Sequence, residues 1–332
     1  MKILVVFTGG TIGCTVNDGY LSTDTAKTYS LIELYRGLNL APVDFSYVEP
    51  YTFLSENVTG EQLTLLGNCL LSQINNGYDG IIVTHGTDTI QYSAAAMSYL
   101  LSNAPLPIMF VSSNLVLDNP DGNGLDNFSH AVEFICNQRG KGVFVVYRNN
   151  NHIVYVHRGT RLLPHLPYSD ELYSIGDTFY GSYNNACYLK NPAYLASHKG
   201  DILTLKLPEK WSSDILRLFP YPGMEYPKLS SHTQAVLLDT YHSGTLCSIT
   251  PGMSDFFAEA ADRNIPVFLT GADSGLNYES VKAWKQLQIC TLPKAAPIAM
   301  YVKLWMAMQS EALLESLSLE KIMLTPICDD IV

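Results

Sequence analysis

Residues 1–15, MKILVVFTGGTIGCT, constrain the fold more than any other stretch of the chain. After Lys2 an unbroken apolar run, Ile3-Leu4-Val5-Val6-Phe7, reads as a strand buried on both faces of a parallel sheet. It is too short to cross a membrane. The run stops at Thr8-Gly9-Gly10-Thr11, where two glycines permit a tight turn and leave the next hydroxyl exposed. Open α/β sheets take ligands at the carboxyl ends of their strands, so Thr11 is the candidate nucleophile. Residues 80–90, GIIVTHGTDTI, repeat the design: an apolar strand, a glycine, then Thr87 and Asp88 at the start of a helix. The two strand ends share one crevice if their strands are neighbours.

Strands and helices alternate through the first half. Thr59-x-x-Gln62 is a capping-box pattern, and Leu63, Leu66, Leu70 and Ile74 continue at helical spacing to a stop at Asn75-Asn76-Gly77. Strand 80–84, an alanine-rich helix over about 89–103, strand 107–112, a helix over about 126–138 and strand 142–148 follow. Asn149-Asn150-Asn151 then turns the chain back as a hairpin. A Tyr- and Pro-rich stretch over about 164–213 precedes a second unit, with strands at 215–219, 235–241 and 266–270 and helices from Ser254 and over about 298–308. Repeated βα units imply parallel strands with right-handed crossovers. The predicted fold class is α/β: a larger N-terminal, mainly parallel sheet flanked by helices (1–190), a linker (191–213) and a smaller C-terminal Rossmann-like α/β domain (214–332).

At 332 residues the chain is long enough for two cores, and a hydrophobic fraction of 47% excludes wholesale disorder. The net charge of −11, with no basic run, argues against nucleic acid as a partner. Seven scattered cysteines with no CxxC pair fit reduced thiols, not a disulfide framework or a zinc site. A single lysine before a short apolar run makes no secretory signal, so a cytoplasmic location is expected.

The segments TGGTI (8–12) and HGTDT (85–89) resemble, in order and spacing, the two signature motifs of the bacterial-type L-asparaginases. That family includes asparaginase/glutaminases and an archaeal amidotransferase subunit of the same fold. The resemblance spans both domains, with its sharp motifs in the first, and the cysteine usage suits the cytoplasmic type. It implies hydrolysis of L-asparagine to L-aspartate and ammonia through an acyl-enzyme, without cofactor or metal. It also implies a homodimer or homotetramer acting on a small molecule, with no membrane partner. In this reading Thr11 attacks the amide, Tyr20 contacts the Thr11 nucleophile, and Thr87 orients water. Asp88 supports Thr87 and accepts the substrate ammonium, Ser55 belongs to the carboxylate-binding segment, and amides near Gly10 and Gly86 serve as oxyanion donors. The motif's place at residue 8 sets the chain apart from the amidotransferase subunit, which carries an extra domain before it.

Other readings stand beside this one. Asp88-x-x-Gln91 also caps a helix, and Tyr20 also suits a loop-covering aromatic. Arg158-Gly159-Thr160-Arg161 resembles the R-G-x-R run preceding the family's lysine, but the lysine position falls on Pro164. Arg161 is then a candidate electrostatic substitute beside Asp88, although a structural arginine is the better reading. Glu56 stands where the family has a neutral residue; beside Asp88 it suits an ammonium and opposes an α-carboxylate. Thr245, where the family has asparagine, and the segment 274–279 with Glu279 are candidates for a loop donated to a partner's site. His85 is read as strand-end packing and the remaining histidines as isolated, which argues against metal. Residues 9–13 lack the G-x-G-x-x-G order of a dinucleotide site. Alternatives are a glutaminase or D-amino-acid amide hydrolase, the amidotransferase subunit, and a non-catalytic amino-acid-binding paralogue.

Overall fold

The computed structural model describes the chain except residues 18–19, 24, 39, 41, 185–186, 197–202, 213 and 273–277. Its pivot is β1 (Lys2–Phe7), whose Leu4 and Val6 enter one core cluster while Ile3, Val5 and Phe7 enter another. All five are at most 1% exposed, so the strand is sealed on both faces, as a central parallel strand must be. A short antiparallel hairpin, β2 (Cys14–Asn17) and β3 (Tyr20–Thr23), leads to α1 (Thr25–Gly37) and β4 (Asp44–Val48). Then come α2 (Gly60–Gln73), β5 (Gly80–Thr84), α3 (Ile90–Leu100), β6 (Pro107–Val111), α4 (Gly124–Cys136) and β7 (Gly142–Arg148). The expected hairpin at 149–151 carries the chain into β8 (Val154–Arg158), followed by β9 (Gly181–Asn184) and β10 (Cys187–Lys190).

These strands form one sheet in the order β10-β9-β8-β7-β6-β5-β1-β4. Neighbours from β7 to β4 are parallel, and the β8, β9 and β10 edge is antiparallel. Leu31, Ile32 and Tyr35 of α1 and Phe128 and Val132 of α4 pack on the face of Ile3, Val5 and Phe7. Leu66 and Leu70 of α2 and the alanines of α3 pack on the opposite face. The sheet is therefore doubly wound. From β1 the chain steps out to β4, then crosses back to β5 on the other side, so the strand order reverses at β1. A crevice opens at such a switch point.

The Thr59 capping box forms: the Thr59 hydroxyl accepts from Glu61 N at 3.3 Å, and Thr59 N donates to the Gln62 carboxamide at 3.0 Å. Every residue of α3 except Tyr92 is buried, the pattern of a helix enclosed on all sides. A second, parallel sheet has the order β11 (Ile215–Leu218), β12 (Ala235–Asp239), β13 (Val267–Thr270), β14 (Cys290–Thr291). Helix α5 (Met253–Asp262) lies between β12 and β13 in sequence, and α6 (Ser280–Gln286) before β14. Helix α7 (Pro297–Met308), started by its proline, packs on α3. One apolar cluster runs from Leu4 and Leu66 through Ala95, Met300 and Leu304 to Leu237 and Phe268, joining the two sheets. Among the described residues no helix is long and apolar enough to cross a membrane.

Candidate active site

Strand β1 lies between β5 and β4, which fixes the carboxyl ends of all three together. Thr8 locks to β5: its hydroxyl donates to Thr84 O at 2.6 Å and its amide to Thr84 Oγ1 at 3.3 Å. Phe53 N donates to Thr8 O at 3.1 Å and Gly10 N to Phe53 O at 3.3 Å, tying in the segment after β4. The glycines are obligatory for this approach. Gly9 and Gly10 have φ of +98° and +82°, and a Cβ on Gly10 would lie 2.4 Å from Gly86 N. A Cβ on Gly86 would lie 2.3 Å from Ser55 Oγ. Backbone thus meets backbone with no side chain between.

At this junction a pocket of about 320 Å³ is lined by Gly10, Thr11, Cys14, Leu54, Ser55, Glu56 and Asp88. Thr11 begins a 3₁₀ turn ending at Gly13, half-buried at the pocket wall. Ser55 Oγ donates to Asp88 Oδ2 at 3.1 Å, and Thr89 Oγ1 donates to Ser55 O at 2.8 Å. These bonds tie the segments after β4 and β5 together at the pocket. Asp88 O accepts from Gln91 Nε2 at 2.9 Å, but the N-cap of α3 is Thr89 and no side chain caps it, so Asp88 does not cap the helix and its carboxylate faces the pocket. Thr87 is half-buried next to Asp88 and is not among the lining residues. Glu56 is exposed at the mouth, so two carboxylates and no cation line the cavity.

Two groups are removed from the chemistry by their surroundings. His85 is buried and holds Gly86 O through Nδ1 at 2.9 Å. Burial brings its pKa down to about 4, so it is a neutral structural ring at pH 7. Cys14 points its thiol at Gly10 O at 3.2 Å. Burial first, and the Glu56 charge second, push that thiol up from its ordinary value, away from the thiolate a cysteine nucleophile needs. Of the nucleophile types in the pocket, the hydroxyls remain.

Some expected residues lie elsewhere. Tyr20 is on β3, 79% exposed, and does not line the pocket. Arg161 is fully buried, but its guanidinium donates to Asp329 O at 2.7 Å and Leu195 O at 2.6 Å and stacks 4.3 Å from the Tyr194 ring. It anchors the C-terminal segment and is not a substitute cation for Asp88; Pro164 is exposed. The Gly10 amide is committed to Phe53 O, so it is not an oxyanion donor. Thr245 closes its own turn in the second unit, with Thr245 O accepting from Tyr241 N at 2.8 Å. Glu279 is exposed and paired with Lys282 at 3.2 Å. Residues 274–277 of that candidate loop, like residues 18 and 19 before Tyr20, lie outside the described residues. Among the described residues no group of three or more His, Cys, Asp or Glu is arranged to hold a metal.

Sequence reading missed Cys14 and Leu54, whose spacing from Thr11 and Ser55 was the available signal. It also left His165 isolated. The His165 ring stands edge-on to Tyr147 at 5.4 Å.

Residues 2–163 match the family of the asparaginase N-terminal domain. An L-asparaginase of Thermococcus kodakarensis is 26% identical over 282 residues, covering 81% of this chain and 80% of that protein. A glutamyl-tRNA(Gln) amidotransferase subunit of Methanosarcina acetivorans is 30% identical over 164 residues, 48% of this chain. That match spans only 38% of the relative's own length. The fold overlays the solved thermostable L-asparaginase of T. kodakarensis with a TM-score of 0.80 at 20% identity, covering 100% and 99% of the two chains. The L-asparaginase I of Vibrio cholerae overlays with a TM-score of 0.77, also at 20% identity and the same coverage. These similarities support an asparaginase-family member, with the family match lying in residues 2–163.

Proposed function

We propose that this protein is a cofactor-independent amidohydrolase that cleaves L-asparagine to L-aspartate and ammonia. The observation that carries the reading is that Thr11 and Asp88, from two separate motifs, line one pocket at the strand-order switch. Thr11 Oγ attacks the side-chain amide carbon, the C–N bond breaks, and ammonia leaves with a proton. Water beside Thr87 then cleaves the Thr11 ester. Asp88 and Glu56 present negative charge to the substrate ammonium, while Ser55 Oγ bonds Asp88 and so orients it. The geometry of the reactive hydroxyl next to a carboxylate pair is the positioning that such a reaction needs. Two carboxylates at the mouth oppose an α-carboxylate, so the α-carboxylate needs neutral donors. A homo-oligomeric assembly and a cytoplasmic location are part of this proposal; for the location, the similarly folded Campylobacter jejuni protein is a probable cytoplasmic L-asparaginase.

The test is ammonia release from L-asparagine, L-glutamine and D-asparagine by the wild type and by Thr11→Ala and Thr87→Ala. Release from L-asparagine that both substitutions abolish is expected. Wild-type turnover in both variants would refute the mechanism. The amidotransferase relatives favour one second reading, an ammonia-supplying subunit. In that case amide hydrolysis stays at background until a partner protein is added.

A further inference from the structure

The chain that leaves β8 folds into a stiff, projecting loop. Leu163 N donates to Tyr173 O at 2.9 Å, and Leu162 pairs with Ser174 next to that bond. The Asn149 side chain bonds Leu172 in both directions, at 3.0 Å each way, and fastens the returning arm to the end of β7. At the tip, Ser169 N donates to Leu166 O at 3.1 Å, closing a turn with Pro167 second and Tyr168 third. Tyr168 has φ of +60°, the third-position conformation of a type II turn, which favours glycine. A bulky side chain held there costs free energy, and no packing within the chain offsets it, because Tyr168 is fully exposed. Leu166 is 63% exposed. A stiff base that holds a strained apolar tip in water has the features of a surface shaped for a partner.

A cavity of about 720 Å³ adjoins the base of this loop, since Ile175, the residue after Ser174, is one of its walls. It opens at the carboxyl ends of β13 and β14, where Gly271 and Thr291 line it. Leu292, Pro293, Ala295 and Leu324 give it apolar walls, and Lys294 gives it a cation. Tyr168 does not fill the cavity of its own chain, being exposed and absent from the lining. Lys294 and Asp170 are exposed, and neither has an ion-pair partner among the described residues. Even fully extended, the chain from Tyr168 to Ile175 spans at most about 25 Å, so tip and cavity are near neighbours.

We propose that two copies of this chain pair by exchanging these parts: the Leu166-Pro167-Tyr168 tip of each enters the cavity of the other. The contact is isologous, so one two-fold axis makes it twice and closes the assembly. The tip is a preformed turn, which limits the ordering cost of binding. A tyrosine seated in an apolar pocket is the kind of anchor that dominates an interface. Asp170 beside the tip meets Lys294 of the cavity, opposite charges that each lack a partner within one chain. This inference gives the homo-oligomer of the reading above its interface and rests on that part of the reading alone.

The experiment is sedimentation equilibrium of the full chain at about 0.15 M salt, with wild type, Tyr168→Gly, Lys294→Glu, Asp170→Lys and the Asp170→Lys/Lys294→Glu pair. Wild type is expected to sediment as a dimer or a pair of dimers. Tyr168→Gly is expected to raise the Kd of pairing about 100-fold or more. Glycine suits φ of +60°, so the melting temperature of the dissociated chain stays level or rises. That readout separates a lost contact from a lost fold. Each single charge reversal is expected to raise Kd about 10-fold or more, and the double variant to return toward wild type. A monomeric wild type, or pairing that Tyr168→Gly leaves unchanged, would overturn the proposal. So would charge reversals that fail to compensate each other. Sedimentation needs no amide substrate, so a failed pairing leaves the amidase reading standing, and an inactive protein leaves the pairing result intact.

Discussion

Two clusters of polar side chains in this protein are treated in opposite ways. Around Lys303 every valence is used. Its fully buried ammonium donates to Asp330 Oδ2 at 2.8 Å, Thr325 O at 2.6 Å and Met323 O at 3.4 Å. Asp330 also accepts from Tyr99 OH at 3.2 Å and from Ile327 N at 2.8 Å. At the ends of β1 and β5, by contrast, Ser55 is the only side chain among the described residues that donates to the Asp88 carboxylate, and Thr11 faces an open pocket. A saturated network in an apolar core fixes structure, because each lost partner leaves an uncompensated polar group. Unused valences around a cavity are left for a substrate. Arg161 is likewise spent on structure, its guanidinium bonded to Asp329 O and Leu195 O.

Crossing substitutions between the two clusters give the largest expected effects. Thr11→Ala should cut turnover by about 10³-fold or more while leaving the denaturant midpoint nearly in place. Lys303→Met should do the reverse. Stranding Asp330 in the core costs about 3–5 kcal/mol in urea unfolding, and kcat of the folded protein is kept. Pairing Lys303→Met with Asp330→Leu should recover most of that loss. A Lys303→Met protein of normal stability and low kcat would dissolve the distinction.

Acid sharpens the comparison next. His85 and His157 are buried neutral, with pKa values of about 4 and about 3 against 6.5 for a free ring. Below pH 6.5 the unfolded chain binds protons that the folded chain refuses, so stability falls as pH drops from 6.5 toward 4. For His85 the loss approaches about 3 kcal/mol. Melting temperature against pH should show this decline, and His157→Gln should make it shallower. An unchanged slope would mean that His157 is not excluded from water.

The smallest effect is expected at Arg161. Arg161→Met removes charged bonds to Asp329 O and Leu195 O and should cost about 2 kcal/mol of stability with kcat unchanged. A fall in kcat at normal stability would return Arg161 to the active site.

Much of the first sheet was legible in the sequence because its cues are local. The run 3–7, the capping box at Thr59 and Gln62 and the asparagine turn at 149–151 each specify an element within a few residues. The β2–β3 hairpin, β9 and β10 were not read, since these short strands lack a long apolar run. Of the site, Thr11, Ser55, Glu56 and Asp88 were visible as motif residues, and the pocket collects all four. Cys14 and Leu54 join them only through a 3₁₀ turn and a bend after β4.

What the sequence determined alone was the menu: which segments are buried strands, which glycines must turn, and which hydroxyls and carboxylates follow them. Those are short-range consequences of backbone sterics and apolar periodicity. The tertiary structure decided the neighbours. Strand order put β1 between β5 and β4, closed Gly10 onto Gly86, sent Arg161 to the C-terminal segment and set His165 edge-on to Tyr147. Such long-range choices depend on how whole sheets and helices share one core, and no window of sequence contains that information.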